Sequence, residues 1–391
     1  MTIIFFDDQS RESLLPLTYT RPIADLRIGI LKISEKWLYY FKSDFGYLTA
    51  DYLQAKFPNK SSDQHLYING SCCPDVDLVA AINHLQEDEV LVKDNVFIAA
   101  KSAKAIHNFS HLVNFKTVNY QLDYLKITFP EDIFKNNDKA LRADFDLITK
   151  GRKSGKLSET NTIIGDQIFV EDGVQAECCT FNTNNGPIYL GKNSQVWEGT
   201  NIRGALALCN DSQIKMGTKI YGATTIGPNC RVGGEINNAV IWGNSSKGHE
   251  GYLGNSVLGE WCNIGADSNN SNLKNNYAEV KLWDYTSERF RKTGLQFCGL
   301  IMADHAKCGI NTMFNTGTVV GVSANVFGAG FPRNFIPDFA WGGAHGFEVY
   351  GLNKMLETMK KVYSRRNKEL DEIEINLITE VFNQTEKYRR F

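Results

Sequence analysis

The stretch LGKNSQVWEGTNIRGALALCNDSQIKMGTKIYGATTIGPNCRV, residues 190–232, decides the architecture of this chain. Counting in sixes from Leu190 lands on Val196, Ile202, Leu208, Ile214, Ile220, Ile226 and Val232, an unbroken aliphatic series. Small or β-branched residues (Ser194, Thr200, Ser212, Thr218, Thr224) recur at the fourth place after it, and Gly191, Gly227 and Gly233 follow it directly. A helix cannot carry this pattern, because six residues advance it by about 600° and leave successive aliphatics about 120° off any common stripe. A coil of short parallel strands can: with three flat sides of six residues, every sixth side chain points inward and stacks on its equivalent one coil above. The phase returns at Leu258 and Ile264, and again at Met302, Cys308, Phe314, Val320 and Val326.

Function is expected where the repeat breaks, since excursions from a solenoid gather on one binding face. The first break runs from Ile241 to Gly254 and contains His249, Glu250, Gly251, Tyr252, Leu253 and Gly254; Asn263-Ile264-Gly265-Ala266 and Asn272 follow. The repeat resembles the hexapeptide-repeat acyltransferases, which fold as a left-handed parallel β-helix and usually trimerise. Its H-x-x-Y-L-G segment and ordered asparagines are similar to the acetyltransferase half of the bifunctional glucosamine-1-phosphate acetyltransferase/N-acetylglucosamine-1-phosphate uridyltransferase (GlmU-type) family. An amine that attacks a thioester must be neutral, and a histidine titrating near neutrality can take its proton. The resemblance makes His249 that base, with Tyr252, Asn263 and Asn272 holding the sugar and its phosphate, Lys247 and Asn237 beside them, and acetyl-CoA as cosubstrate along the coils. His305 is the second candidate base. The chain departs from the family at Asn237, which stands where the family carries a lysine, and in the phosphate-binding arginine, for which Arg203, Lys215, Lys219 and Arg231 are the open candidates. A second break, Asn269 to Gly294, contains Lys274, Lys281 and Trp283 and is expected either to close over a neighbouring subunit's site or to be a passive excursion.

The first 150 residues lack the repeat. Ile3-Ile4-Phe5-Phe6 before Asp7-Asp8, and Leu66 to Gly70, read as buried strands with a helical stretch from Ile28 to Phe41 between them, an α/β pattern. Arg11 and Leu14-Leu15-Pro16-Leu17-Thr18-Tyr19-Thr20-Arg21-Pro22 resemble the R-L-x-P-L-T-x-x-R-P segment of sugar-1-phosphate nucleotidyltransferases. Together with Phe6-Asp7-Asp8 and Glu35-Lys36-Trp37 they are similar to a branch of the bifunctional family with a shortened front domain. That resemblance implies a nucleotide held by Arg11, Arg21, Arg27 and Lys36, and Mg2+ held near Asp75 and Asp77. The glycine-rich turn of such domains is replaced here by Asp7-Asp8-Gln9-Ser10, the following lysine by Ile23, and the metal-binding G-D pair by Asn69-Gly70. Slow or restricted nucleotidyl transfer is therefore expected.

Three segments are expected: residues 1–155, a nucleotidyltransferase-like α/β domain with a helical arm; 156–345, the β-helix; and 346–391, a helical tail in which Leu352, Met355, Met359, Val362 and Tyr363 share a stripe. The tail is expected to cap the open end of the β-helix. With 42 Lys+Arg against 44 Asp+Glu, global charge favours neither nucleic acid nor a membrane as partner. No apolar run approaches the ~18 residues of a membrane span, and nine cysteines without metal spacing read as small buried hydrophobes of a cytoplasmic protein. The expected partners are a sugar-1-phosphate, a nucleoside triphosphate (uridine or thymidine), acetyl-CoA and two further copies of the chain. Two other readings stay open: a nucleotidyltransferase with a purely structural β-helix, and a non-enzymatic nucleotide-sugar-binding assembly protein.

Overall fold

The computed structural model describes residues 1–60 and 64–391. By compactness the chain divides into two units: 1–26, 31–129 and 372–378 form the first, and 27–30, 130–371 and 379–391 the second.

The first unit is built on β1 (Thr2–Phe6), α1 (Ile33–Phe41), β2 (Phe45–Leu48), β3 (His65–Asn69), α2 (Val76–His84), β4 (Glu89–Lys93), β5 (Val96–Ser102) and β6 (Lys116–Asn119). The six strands run in the order β2-β1-β3-β5-β4-β6, with β1 parallel to both neighbours and β5 antiparallel to both of its own. Ile3, Ile4, Phe5 and Phe6 are all buried, as an apolar run covered on both faces should be.

The second unit is the β-helix. Leu190 pairs with Leu208 and Leu208 with Ile226, Val196 with Ile214 and Ile214 with Val232, and Ile202 with Ile220, all in parallel. Each pairing spans eighteen residues, three hexads per coil, as the period requires. The paired side chains stack into three interior columns, each member at most 2% exposed. Every buried leucine or isoleucine adds roughly 1.5–3 kcal/mol relative to exposure, so the columns hold the coil together without a conventional sheet sandwich. Eight of the nine cysteines are buried and all are free thiols.

The first break is a tightening of the coil rather than an inserted loop. Strands Glu235–Ile241 and Tyr252–Leu258 are each seven residues long, and the first pairs both with Lys219–Tyr221 and with Thr225–Ile226, running straight across a corner. The inward series continues through Ile236, Ile241, Lys247, Leu253, Leu258 and Ile264, in steps of five or six. The second break is an excursion ending in a hairpin of Lys281–Asp284 with Arg289–Lys292, in which Trp283 stacks on Phe335 at 4.2 Å.

Helices α3 (Pro130–Lys135) and α4 (Asn137–Thr149) group with the β-helix, so the compact division falls at Pro130, ahead of the boundary expected near 155. Polar contacts explain why. Asn137 Nδ2 donates to Ala223 O at 2.9 Å and its Oδ1 accepts from Gly29 N at 2.8 Å; Asp144 accepts from Ile30 N at 2.8 Å, and Trp242 Nε1 donates to Arg27 O at 3.1 Å. Gly29 is required there, since at its φ of +72° a Cβ would lie 2.5 Å from Asp144 Oδ2.

The tail forms α5 (Leu352–Ser364) and α6 (Glu372–Gln384). The stripe is real, with Met355, Met359 and Tyr363 buried. The expected cap is not what α5 provides: Lys354 lies over Trp341 and Tyr363 stacks on Trp261 at 4.3 Å, so the helix runs along a side of the β-helix. The last coil instead ends in strand Gly346–Val349, antiparallel to Ala340–Gly343. Among the described residues no helix is long and apolar enough to cross a membrane.

Candidate active site

The two straightened strands lie side by side, Glu235 opposite Tyr252 and Asn237 opposite Gly254, and this places three of the expected residues together. The Tyr252 hydroxyl accepts from Asn272 Nδ2 at 2.9 Å and from Asn237 Nδ2 at 3.4 Å, and Asn272 also donates to Asn255 Oδ1 at 2.7 Å. Gly254 makes room for the ring; a Cβ there would stand 2.3 Å from the Tyr252 hydroxyl oxygen. The cluster is uncharged and rich in amides, suited to orienting hydroxyl and amine groups.

His249 is exposed in the turn that leads into Tyr252. Gly251 closes that turn at φ +117°, where any side chain would meet Ser268 O at 2.1 Å. Lys247 anchors the turn from below, its Nζ donating to Gly233 O at 2.8 Å and to His249 O at 2.9 Å. Burial, only partly offset by Glu250, pushes this lysine down to about 8. The expected phosphate contact from Lys247 does not fit its place: it is 2% exposed and occupies an interior column between Val232 and Ile264. Continuing the count by sixes from Ile241 through Lys247 to Leu253 identifies it as inward from sequence.

Asn263 stands apart from Tyr252. It precedes the inward Ile264, projects from another side of the coil, pairs with Lys307, and lines a cleft with Arg231 and Arg366. The hexad arithmetic forces this, because inward residues Leu253 and Ile264 belong to different columns. Of the open cation candidates, Lys219 reaches the His249 turn, its ammonium 3.8 Å from Glu250. His305 is buried, its ring parallel to those of Trp261 and Tyr363.

In the first unit the expected nucleotide ligands are turned inward. Arg11 donates to Asp7, Thr49, Tyr52 and the carbonyls of Thr18 and Arg21. Arg21 is 3% exposed and pairs with Asp25 at 3.0 Å, and Lys36 is 3% exposed. Arg27 is buried too, belongs to the second unit, and donates to Ile30 O. The reason is local: the irregular segment 14–22 is buried, and its carbonyls need donors. Asp75 caps α2, accepting from Leu78 N at 2.8 Å, while Asp77 is exposed in its first turn. No group of three or more His, Cys, Asp or Glu able to hold a metal occurs among the described residues. A feature not anticipated lies at the end of β1: Asp8 pairs with Lys126 at 3.1 Å and accepts from Asn69 at 2.9 Å. Burial raises the Asp8 carboxyl, but the Lys126 ammonium and these hydrogen bonds outweigh it and hold it below the usual range.

Residues 3–153 match the family model for sugar nucleotidyl transferase. The bifunctional protein GlmU of Synechococcus elongatus (strain ATCC 33912 / PCC 7942 / FACHB-805) is 23% identical over 298 residues, covering 74% of this chain and 56% of that protein. The bifunctional protein GlmU of Methanocaldococcus jannaschii is 33% identical over 87 residues, 22% of this chain and 21% of that protein. The chain thus spans about half the length of the Synechococcus protein it matches. A solved UDP-N-acetylglucosamine acyltransferase from Campylobacter jejuni aligns over 59% of this chain and 85% of its own, at 14% identity and a TM-score of 0.26. The β-helix itself rests on the strand pairing described above. With residues 3–153 matching the sugar nucleotidyl transferase family and a parallel hexapeptide solenoid following them, the chain is similar to the bifunctional GlmU proteins over part of their length.

Proposed function

We propose that this protein is a nucleotide-sugar pathway transferase that N-acetylates an amino-sugar-1-phosphate of the glucosamine-1-phosphate kind at the His249 turn. The carrying observation is the amide and hydroxyl cluster of Tyr252, Asn272 and Asn237 beside that turn. Acetyl-CoA supplies the acyl group. The amide groups orient the sugar, so that its amine faces the His249 imidazole; the imidazole takes the amine proton as the nitrogen attacks the thioester carbon, and thiolate departs. Asn263 faces a different side of the coil, so a site using both Asn263 and Tyr252 needs a second copy of the chain, which fits a homotrimer with sites between protomers.

For the front domain we favour nucleotide-sugar binding with slow or restricted turnover, because Arg11, Arg21 and Lys36 are turned to internal contacts. Full nucleotidyl transfer, coupled to the acetylation, is the competing reading. One preparation tests both domains. Acetyl-CoA with glucosamine-1-phosphate should release CoA, while UTP or dTTP with a sugar-1-phosphate and magnesium should release pyrophosphate slowly or not at all. Light scattering on the same sample should return the mass of three chains; a monomer that acetylates at full rate would refute the shared site.

Tyr252→Phe removes one acceptor from Asn272 and Asn237 and nothing from proton transfer. It is expected to raise the sugar KM about 5- to 10-fold, the worth of one net hydrogen bond, with kcat within about twofold of wild type. A fall in kcat at unchanged KM would place Tyr252 in the chemistry instead.

A further inference from the structure

The outward residues on one side of the β-helix form a ladder without a single acid. Gln195, Gln213, Arg231, Ser246, Asn263 and Lys307 occupy successive rungs, each the partner of the next. Adjacent rungs of a parallel sheet stand ~4.8 Å apart, so this side presents a narrow polar strip carrying positive charge. The end of α5 lies over it. Tyr363, stacked on Trp261 at 4.3 Å, fixes the helix there and brings Arg365 and Arg366 to face Arg231 and Lys307. Between them is a cleft of about 720 Å³, also lined by the amides of Asn244, Asn263 and Asn367.

No carboxylate is among the residues that line this cleft. Among the described residues Arg231 donates to the carbonyls of Asp211 and Cys230, and Lys307 Nζ donates to His305 O at 2.9 Å. Among the described residues none of Arg231, Lys307, Arg365 and Arg366 forms an ion pair. Burial, together with the neighbouring Arg231 and Arg365 guanidiniums, pushes Arg366 below the usual guanidinium range. Arginines at a helix C-terminus complement its dipole, which accounts for Arg365 and Arg366 being there. It does not account for Arg231 and Lys307, which belong to strands and face the same space.

We propose that this cleft binds the diphosphate of a nucleotidic ligand, with the four cations on the phosphates and the asparagine amides on the ribose and base. Arginine forks suit phosphate oxygens bidentately, and the volume is that of a site for a nucleotide-sized molecule rather than a lone ion. The diphosphate could belong to coenzyme A or to a nucleotide sugar; the chemistry of the cleft is common to both. The proposal goes beyond the acetylation reading and stands whether or not His249 transfers acetyl groups.

Isothermal titration of the full chain with coenzyme A, with UDP and with inorganic pyrophosphate tests it. Wild type should bind at least one of the nucleotides saturably, one per chain, more weakly as salt rises. The Arg231→Gln/Arg366→Gln pair should weaken that binding about tenfold or more, and Arg231→Lys/Arg366→Lys should restore part of it. Tighter binding of coenzyme A assigns the cleft to the acyl donor, and tighter binding of UDP assigns it to a nucleotide sugar. Both variants lie outside the interior columns, and the exposed Arg365→Gln, which leaves every packed contact in place, should weaken binding in the same direction. No saturable binding up to about 1 mM, or binding equally tight in the glutamine variants, overturns the proposal. The latter result would place the nucleotide in the front domain.

Discussion

His249→Ala is expected to lower kcat for acetyl transfer about 100-fold or more, the usual worth of a positioned general base. The effect should fall on kcat rather than on the sugar KM, because the amide cluster at Tyr252 is left intact. Stability should hardly change: His249 is exposed in a turn, and its backbone carbonyl, which Lys247 grips, survives the substitution. His305→Ala provides the contrast. Its ring lies parallel to Trp261 and Tyr363, with centroids 6.2 and 6.1 Å away, so its removal opens a gap beneath α5 and should cost about 1–3 kcal/mol of stability while leaving the chemistry intact. If His305→Ala abolished turnover in folded protein and His249→Ala did not, the base would be misassigned. Turnover unaffected by either change would mean that no histidine takes the proton.

Lys247→Met should separate stability from activity. The lysine stands in an interior column, where its fellows Val232 and Ile264 are aliphatic, and burial holds it at about 8 against an ordinary 10.5. While both folded and unfolded chains are protonated, below pH 8, the buried ammonium weighs against folding. Between pH 8 and 10.5 the folded state sheds its proton first, the unfolded state binds more protons, and stability rises with pH; above 10.5 the penalty is gone. Methionine carries no such penalty. The stability of wild type relative to Lys247→Met should therefore increase by about 2 kcal/mol between pH 7 and pH 10. Denaturant unfolding of both proteins across that range measures it, and the difference cancels the tyrosines, cysteines and other lysines that titrate in the same window. Activity should move the other way. Methionine frees the carbonyls of Gly233 and His249, the turn loses its tether, and kcat should drop about tenfold, the order expected when a catalytic group is misplaced by a fraction of an ångström. A flat pH difference would mean that water reaches Lys247, and full activity in the variant would mean that the turn needs no anchor.

The placement of Lys247 shows where sequence reading stops short. Its inward position follows from arithmetic, six residues from Ile241 and six from Leu253, yet in the sequence a lysine between Ser246 and Gly248 reads as a surface loop residue. The coil here shortens and crosses a corner in one straight strand, which only the pairing of Glu235–Ile241 with two strands at once reveals. Arg11 and Arg21 show the same limit in the front domain. Their motif resembles that of sugar nucleotidyltransferases, but a motif does not say whether a guanidinium faces a ligand or its own loop, and here Arg11 donates to the loop carbonyls and Arg21 pairs with Asp25.

The sequence by itself determined the period, the three-sided coil, the α/β front domain and the identity of the asparagine and tyrosine cluster. The first three follow from local periodicity, where the backbone leaves little choice, and the cluster from the resemblance of its motif to a known family. Tertiary structure alone decided that Asn263 faces away from Tyr252, that α5 lies along the coil rather than over its end, and that Arg365 and Arg366 meet Arg231 and Lys307 across a cleft. Those relations join residues up to 135 positions apart in sequence, and they depend on how an amphipathic helix finds an aromatic shelf, Trp261 beside His305, that buries its Tyr363.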